Sequence, residues 1–272
     1  RIRLIASDMD ATLLNEQSQL PADFEETIHA LAELGIRFAP ASGRPLYTLE
    51  AMFPTLQDEL VFIGDNGGAI RWKGQNLFTS EMSPEGWRAL NRLTREQGDI
   101  AVLCGLESAY VERPFAVHDA VLRHFYTKIE YVDRLEDVAA PADKFTIYLP
   151  QHNAQQAYDT VYASQRSIYS VAVAGECWVD IMNPGVHKGA ALQTLGQLWS
   201  LPSESIMAFG DTYNDAEMLQ TVRYGFLMEN GSEPLRQKVP FLAPSHREAG
   251  VMQVLHRVLA QNGCVCPEDF IP

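Results

Sequence analysis

Basic residues are scarce in this 272-residue chain: 21 Lys and Arg stand against 35 Asp and Glu, a formal charge of −14. A non-specific binder of nucleic acid or of an anionic membrane needs a basic face, so both classes are set aside. Small anionic ligands are not, because a local cation overrides the global sign. Long apolar runs are absent too. None approaches the ~18 residues of a membrane span, and the sequence as it stands opens without a charged-then-apolar leader. Cysteine is sparse. Cys104, Cys177, Cys264 and Cys266 are too few to staple a chain of this length, and Cys264-x-Cys266 lacks a second pair at zinc-site spacing. They are expected to be reduced thiols in the cytoplasm. Internal repeats and low-complexity stretches are also missing. What is plentiful is core-forming material, 46% hydrophobic and 10% aromatic. That excludes a disordered chain and leaves one large domain or two ordinary ones.

The first third alternates strand and helix. Leu4–Ser7 reads as a buried strand. Phe24, Ile28, Leu31 and Leu34 fall at helical spacing, with Gly35 suited to the C-terminal cap. Ile36–Ala39 reads as a second strand, followed by Ser42-Gly43-Arg44-Pro45, where Ser42 suits the N-cap of the next helix. Leu60–Ile63 reads as a third strand, ending at "GDNGG", whose Asn66-Gly67 is a hairpin-turn signal taken as structural. The last third returns to this rhythm. Lys188–Trp199 forms a helix, Ser205–Phe209 a strand, "GDTYNDAEML" a loop entering a helix, Gly225–Met228 a short strand and Gly250–Ala260 a closing helix. Such alternation indicates βαβ units and a parallel sheet. Between these parts lies a different texture, with helical stretches at 86–96, 116–125 and 154–165 among extended runs. The expected fold is α/β, a parallel-sheet domain built from both ends of the chain (1–81 and 184–272) with an inserted second domain of open sheet plus helices (82–183).

In open parallel sheets, ligands gather beyond the carboxyl ends of the strands. There the sequence places Asp8 and Asp10, then Ser42 and Gly43, then Asp211, Asn214 and Asp215, with Lys188 at a helix start. Like carboxylates this close repel. A hard cation relieves the repulsion, and Mg²⁺ takes oxygen ligands from one or two carboxylates plus a phosphate. Ser42, the Gly43 amide and Lys188 can hold phosphate oxygens. A carboxylate such as Asp8 beside a phosphate is a candidate nucleophile, and Asp10 can exchange protons with the leaving oxygen and with water. Each piece alone has an ordinary reading: an acidic loop, an N-cap, a solvated lysine, a turn. All four in order at strand ends or a helix start are hard to reconcile with those readings.

The stretches "DMDATLLN", "ASGRP", "GVHKGAAL" and "GDTYNDAEML" resemble, in order, the four motifs of the haloacid dehalogenase superfamily. With "GDNGGAI", the long insertion and the late "EAGV", the chain is similar to the Cof-type sugar phosphatases over essentially its whole length. The resemblance implies a Rossmann-like core with an inserted α/β cap, and a Mg²⁺-dependent phosphatase of small phosphorylated metabolites. From the acidic composition no nucleic-acid or membrane partner is expected, and the chain is expected to be a monomer or weak homo-oligomer. It makes Asp8 the nucleophile and a metal ligand, and Asp10 the general acid/base with its carbonyl on the metal. Asp211 becomes the third ligand and Asp215 a supporting carboxylate or further ligand. Met9 (through its amide), Ser42, Gly43, Lys188 and Asn214 bind the phosphoryl group, and Thr12 braces the loop.

The family usually has glycine after the second aspartate, where this chain has Ala11. If that position needs φ > 0, alanine is strained there. His187 reads as a neighbour of Lys188 without a catalytic part. Arg44 follows the phosphate-binding pair and reads equally as a substrate contact or a solvent-facing helix-start arginine. In the inserted domain, Tyr110, Arg113, His118, Glu176 and Trp178 are polar or aromatic residues that could read a sugar, and the sequence makes no choice among them. Rival readings are a phosphotransferase or hexose-phosphate mutase of the same superfamily, a phospho-acceptor signalling domain, and a catalytically weak binding protein.

Overall fold

The computed structural model describes residues 1–271. In chain order, the first stretch holds β1 (Leu4–Ser7), α1 (Phe24–Glu33), β2 (Arg37–Pro40), α2 (Leu46–Ala51), β3 (Val61–Gly64), β4 (Ala69–Trp72) and β5 (Gln75–Thr79). The middle holds α3 (Pro84–Glu96), β6 (Ile100–Gly105), β7 (Ala109–Glu112), α4 (Asp119–Phe125), β8 (Ile129–Val132), β9 (Ala142–Tyr148), α5 (Ala154–Thr160), β10 (Ser170–Ala174) and β11 (Trp178–Met182). The last stretch holds α6 (Lys188–Leu198), β12 (Ile206–Gly210), α7 (Ala216–Thr221), β13 (Tyr224–Met228), β14 (Phe241–Ala243) and α8 (Gly250–Ala260).

Two compact units result. One comprises residues Arg1–Gly43, Phe53–Leu77 and from His187 onward; the other comprises Arg44–Met52 and Phe78–Val186. Helix α2 therefore groups with the inserted unit, where the Thr48 hydroxyl meets the hydroxyl and the main-chain N–H of Thr127, both at 3.1 Å.

The first unit is built on a five-stranded sheet in the order β14-β13-β12-β1-β2, parallel throughout. Strands covered on both faces need no alternation of polar and apolar residues, and β1, β12 and β13 are buried at every position. The chain leaves β1 toward β2 on one side and returns to β12 on the other. The end of β1 is thus the point where strand order reverses, the favoured ligand position of such sheets. Aromatic pairs fill the space around the sheet, Phe24 against Phe38 at 5.3 Å and Phe209 stacked on Phe226 at 5.0 Å. Arg37 lies between the rings of Trp72 and Trp199, 4.2 and 4.1 Å from their centroids.

Two local expectations change. Ser42 does not cap α2, which starts at Leu46 with Pro45 in the N-cap position. Strand β3 touches β2 only through isolated bridges and opens a separate antiparallel sheet, β3-β4-β5. The "DNGG" segment is indeed the β3–β4 turn, but it spans four residues and places Asp65, Asn66 and Gly67 at positive φ.

The second unit carries a six-stranded sheet, β10-β11-β9-β6-β7-β8. Trp87 and Leu90 of α3 and Ala154 and Ala157 of α5 pack on one face with Leu103, Phe145 and Ile181. Leu122 of α4 and Tyr126 pack on the other with Val102, Cys104 and Val111. Helix α3 is capped as its sequence demands: Ser83 accepts the Gly86 N–H at 3.0 Å and Pro84 occupies the first turn. Among the described residues, no helix is long and apolar enough to cross a membrane.

Candidate active site

Three parallel strands deliver the site. Beyond β1 the Asp8 N–H donates to Phe209 O of β12 (3.0 Å), while Ala41 N–H, beyond β2, donates to Ser7 O (2.8 Å). The chain ends after β1, β2 and β12 are thereby tied into one rim. Lys188, the first residue of α6, reaches this rim from the side. Its Nζ donates to Asp8 Oδ1 and to Asp215 Oδ1, each at 2.7 Å, and its side chain is fully buried. Two features fix that reach. His187 caps α6 by accepting the Ala190 N–H on Nδ1 (3.0 Å). Gly189 lets α6 approach α7, since a Cβ there would stand 2.8 Å from Glu217 C.

Asp215 is held on every side. Its Oδ2 accepts the backbone N–H of Asp211 (3.0 Å) and of Thr212 (3.3 Å), completing a capping box with Thr212. The Thr12 hydroxyl lies 3.3 Å from Asp211 Oδ1 and 3.5 Å from Asp8 Oδ2, between the two loops.

The charges are unevenly compensated. Burial pushes the Asp8 carboxyl upward, but the Lys188 charge and hydrogen bonds from Asp211, Lys188 and the Met9 amide outweigh it, so Asp8 titrates below its usual value. Asp211 goes the other way, to about 9, driven by burial and then by its hydrogen bond to Asp8 and the Asp8 charge. Burial also raises Asp215 against the opposing pull of Lys188. The ammonium pairs with Asp8 and Asp215, and with Asp211 these acids bring three ligand oxygens within 4.8 Å of one another. This all-oxygen, over-acidic donor set fits a hard divalent cation.

The other residues singled out from sequence take these places. Asp10 is exposed, in an extended conformation two residues after Asp8. Ser42 is buried beyond β2; its N–H donates to Ile63 O (3.0 Å) and its carbonyl accepts from Asn66 N–H (2.9 Å). Gly43 lies against the Asn66 side chain, so the "DNGG" turn shapes this part of the rim. Asn214 is exposed, with its amide oxygen accepting from the Thr212 hydroxyl. Ala11 has φ 55° and ψ 19°, so the position does require the left-handed region.

In the second unit, Trp178 packs on Tyr148 (4.7 Å) and Phe125 (5.1 Å), and His118 meets Tyr148 edge-on at 5.4 Å. Arg113 pairs with Asp133, Glu176 with His152, and Tyr110 with Glu130.

Sequence reasoning missed the turn after β13. There Ser232 N–H donates to Asp211 O (2.7 Å) and Asn230 Nδ2 donates to Ala11 O (2.9 Å). The available signal was position: "ENGS" follows an apolar strand of the same parallel sheet and therefore lands on the same rim.

Comparison with known proteins points to a family. A family model described as haloacid dehalogenase-like hydrolase matches residues 5–255. A 5-amino-6-(5-phospho-D-ribitylamino)uracil phosphatase of Escherichia coli K12 is 31% identical over 262 residues, covering 95% of this chain and 96% of its own. An HMP-PP phosphatase of Cronobacter sakazakii is 30% identical over 249 residues, covering 88% and 89%. Among solved structures, SMU.1108c from Streptococcus mutans UA159 superposes with a TM-score of 0.84 at 28% identity, covering 96% of this chain and all of that one. With the motif residues gathered on one rim and matches running nearly end to end, the chain belongs to the haloacid dehalogenase-like hydrolases, of the Cof type.

Proposed function

We propose that this protein is a Mg²⁺-dependent phosphatase that hydrolyses a small phosphorylated metabolite, a phosphate monoester on a sugar or sugar-derived chain. The observation that carries the reading is Lys188, buried between Asp8 and Asp215 and hydrogen-bonded to both. It holds Asp8 ionised, the form that attacks phosphorus. The relatives named as phosphatases of phosphorylated small molecules support the substrate class.

The reaction divides into two displacements. The Asp8 carboxylate attacks phosphorus, and the bond to the leaving oxygen breaks as Asp10 gives that oxygen a proton. Asp10 then takes a proton from water, which attacks the aspartyl-phosphate, regenerates the Asp8 carboxylate and releases inorganic phosphate. Lys188, the Ser42 hydroxyl and the amides of Met9 and Gly43, with Asn214, hold the phosphoryl oxygens. Asp8, Asp211 and the Asp10 carbonyl, supported by Asp215, would hold Mg²⁺, which when bound supplies positive charge against the phosphate oxygens. The inserted unit acts as the cap that selects the leaving group.

A phosphate-release screen over phosphorylated metabolites with Mg²⁺, beside an Asp8→Asn control, tests the reading. Release that depends on both Mg²⁺ and Asp8 supports it. Inactivity across the panel, or an equally active control, refutes it. A sugar phosphate isomerised without phosphate release points instead to a mutase.

A further inference from the structure

We infer that Asn230 is a positioning residue for the acid/base step, acting on Asp10 through the backbone of Ala11. The inference rests on the phosphatase reading above and goes beyond it.

The chain turns sharply after β13, and this turn grips both acidic loops. The Ser232 N–H donates to Asp211 O at 2.7 Å, and Gly231 leaves no room for a side chain, since a Cβ there would stand 2.8 Å from Met228 O and 3.0 Å from Asp211 O. Asn230 extends the grip to the other loop. Its Nδ2 donates to Ala11 O at 2.9 Å, while its Oδ1 accepts the His246 N–H at 3.0 Å. The two ends of the amide cannot be exchanged, because a carbonyl needs a donor and an N–H needs an acceptor.

Ala11 is where the Asp8–Asp10 loop is under strain, with alanine at φ 55°. A non-glycine residue relieves that strain by rotating to negative φ, and the rotation swings the peptide that joins it to Asp10. The bond from Asn230 opposes the rotation by anchoring the Ala11 carbonyl. Asp10 is exposed, in extended backbone immediately before Ala11. The direction in which it presents its carboxyl therefore depends on Ala11 staying left-handed. Glycine at 11 would need no such anchor; alanine does.

Asn230→Asp isolates the contact. It keeps an acceptor for His246 N–H, but it removes the donor to Ala11 O and sets oxygen against oxygen. The readout is kcat/KM along a series of 4-nitrophenyl, phenyl and benzyl phosphate with Mg²⁺. A nitrophenolate leaves without help, whereas a benzyl alkoxide needs its proton. Mispositioning Asp10 therefore slows benzyl phosphate about tenfold or more relative to 4-nitrophenyl phosphate. Asp10→Asn, run beside it, defines that signature, and Asn230→Ala should reproduce it. Partial unfolding scales all three substrates equally and leaves the slope unchanged. An equal loss across the series, or no loss, overturns the role of Asn230 while the phosphatase reading stands. A wild type inactive on all three esters and on the metabolite panel overturns both.

Discussion

Lys188 Nζ and Asp8 Oδ1 lie 2.7 Å apart, in a site where the lysine is fully buried and a second carboxylate, Asp215, is equally close. Burial alone would strip the proton from a lysine, yet the two neighbouring charges raise its pKa well above the usual value. The ammonium thus belongs to the fold as much as to the site. Replacing it by methionine keeps the volume and leaves Asp8 and Asp215 without their cation. Breaking a buried ion pair from one side costs about 3–5 kcal/mol. Lys188→Met should unfold earlier in urea by about that amount and lose phosphatase activity. Added Mg²⁺ should restore part of the stability but none of the turnover. A variant as stable as the parent without metal would count against the site electrostatics described here.

The raised Asp211 carboxyl sets a pH dependence. In the unfolded chain it ionises near 3.8; in the folded chain it holds its proton to about 9. Between those values the folded state binds more protons, so without metal this group lowers stability as pH rises. A cation must displace that proton. Mg²⁺ affinity should then tighten by about tenfold per pH unit below 9, with release of up to one proton. Calorimetry between pH 6 and 8, in buffers of different ionisation enthalpy, measures both. Affinity that does not change with pH would contradict the assignment.

What the sequence disclosed and what it hid follow from burial. Strands β1 and β12 are short apolar runs buried on every residue, each followed directly by an aspartate, so both the strand and the site residue stood out. Edge strands β8 and β10 are half-exposed and gave no periodic signal, and β14 has only three residues. Asp8, Lys188, Asp211 and Asp215 were legible because their side chains carry charge at strand ends and a helix start. Asn230 was not, since it meets a backbone carbonyl 219 residues away and leaves no spacing to read.

Gly210 offers a steric test of the same centre. A Cβ there would lie 2.5 Å from Asp215 Cβ and 2.7 Å from its Oδ2. Gly210→Ala must push Asp215 away from the Asp211 and Thr212 amides, an overpacking penalty of about 1–3 kcal/mol. Because Asp215 also anchors Lys188, turnover should fall with stability. Denaturant titration and steady-state kinetics measure the two losses; a fully active variant of parental stability would show that Asp215 has room to move.

The alanine beside Asp10 sets up the last prediction. Left-handed alanine carries about 1 kcal/mol of strain that glycine avoids. Glycine in turn adds about 0.4–1 kcal/mol of unfolded-state freedom. The two nearly cancel, so Ala11→Gly should leave the midpoint of unfolding almost unchanged. Its effect belongs to kinetics. A loop that moves more freely around Asp10 should speed the acid/base step and raise kcat by about twofold or more. The same change should weaken dependence on the anchor, because glycine adopts φ 55° without the strain that the anchor opposes in alanine. Asn230→Asp should therefore cost less on benzyl phosphate when combined with Ala11→Gly than alone, a coupling that a double-mutant cycle measures. Unchanged turnover in Ala11→Gly would remove the idea that alanine slows the loop. Strictly additive effects would separate Ala11 from Asn230.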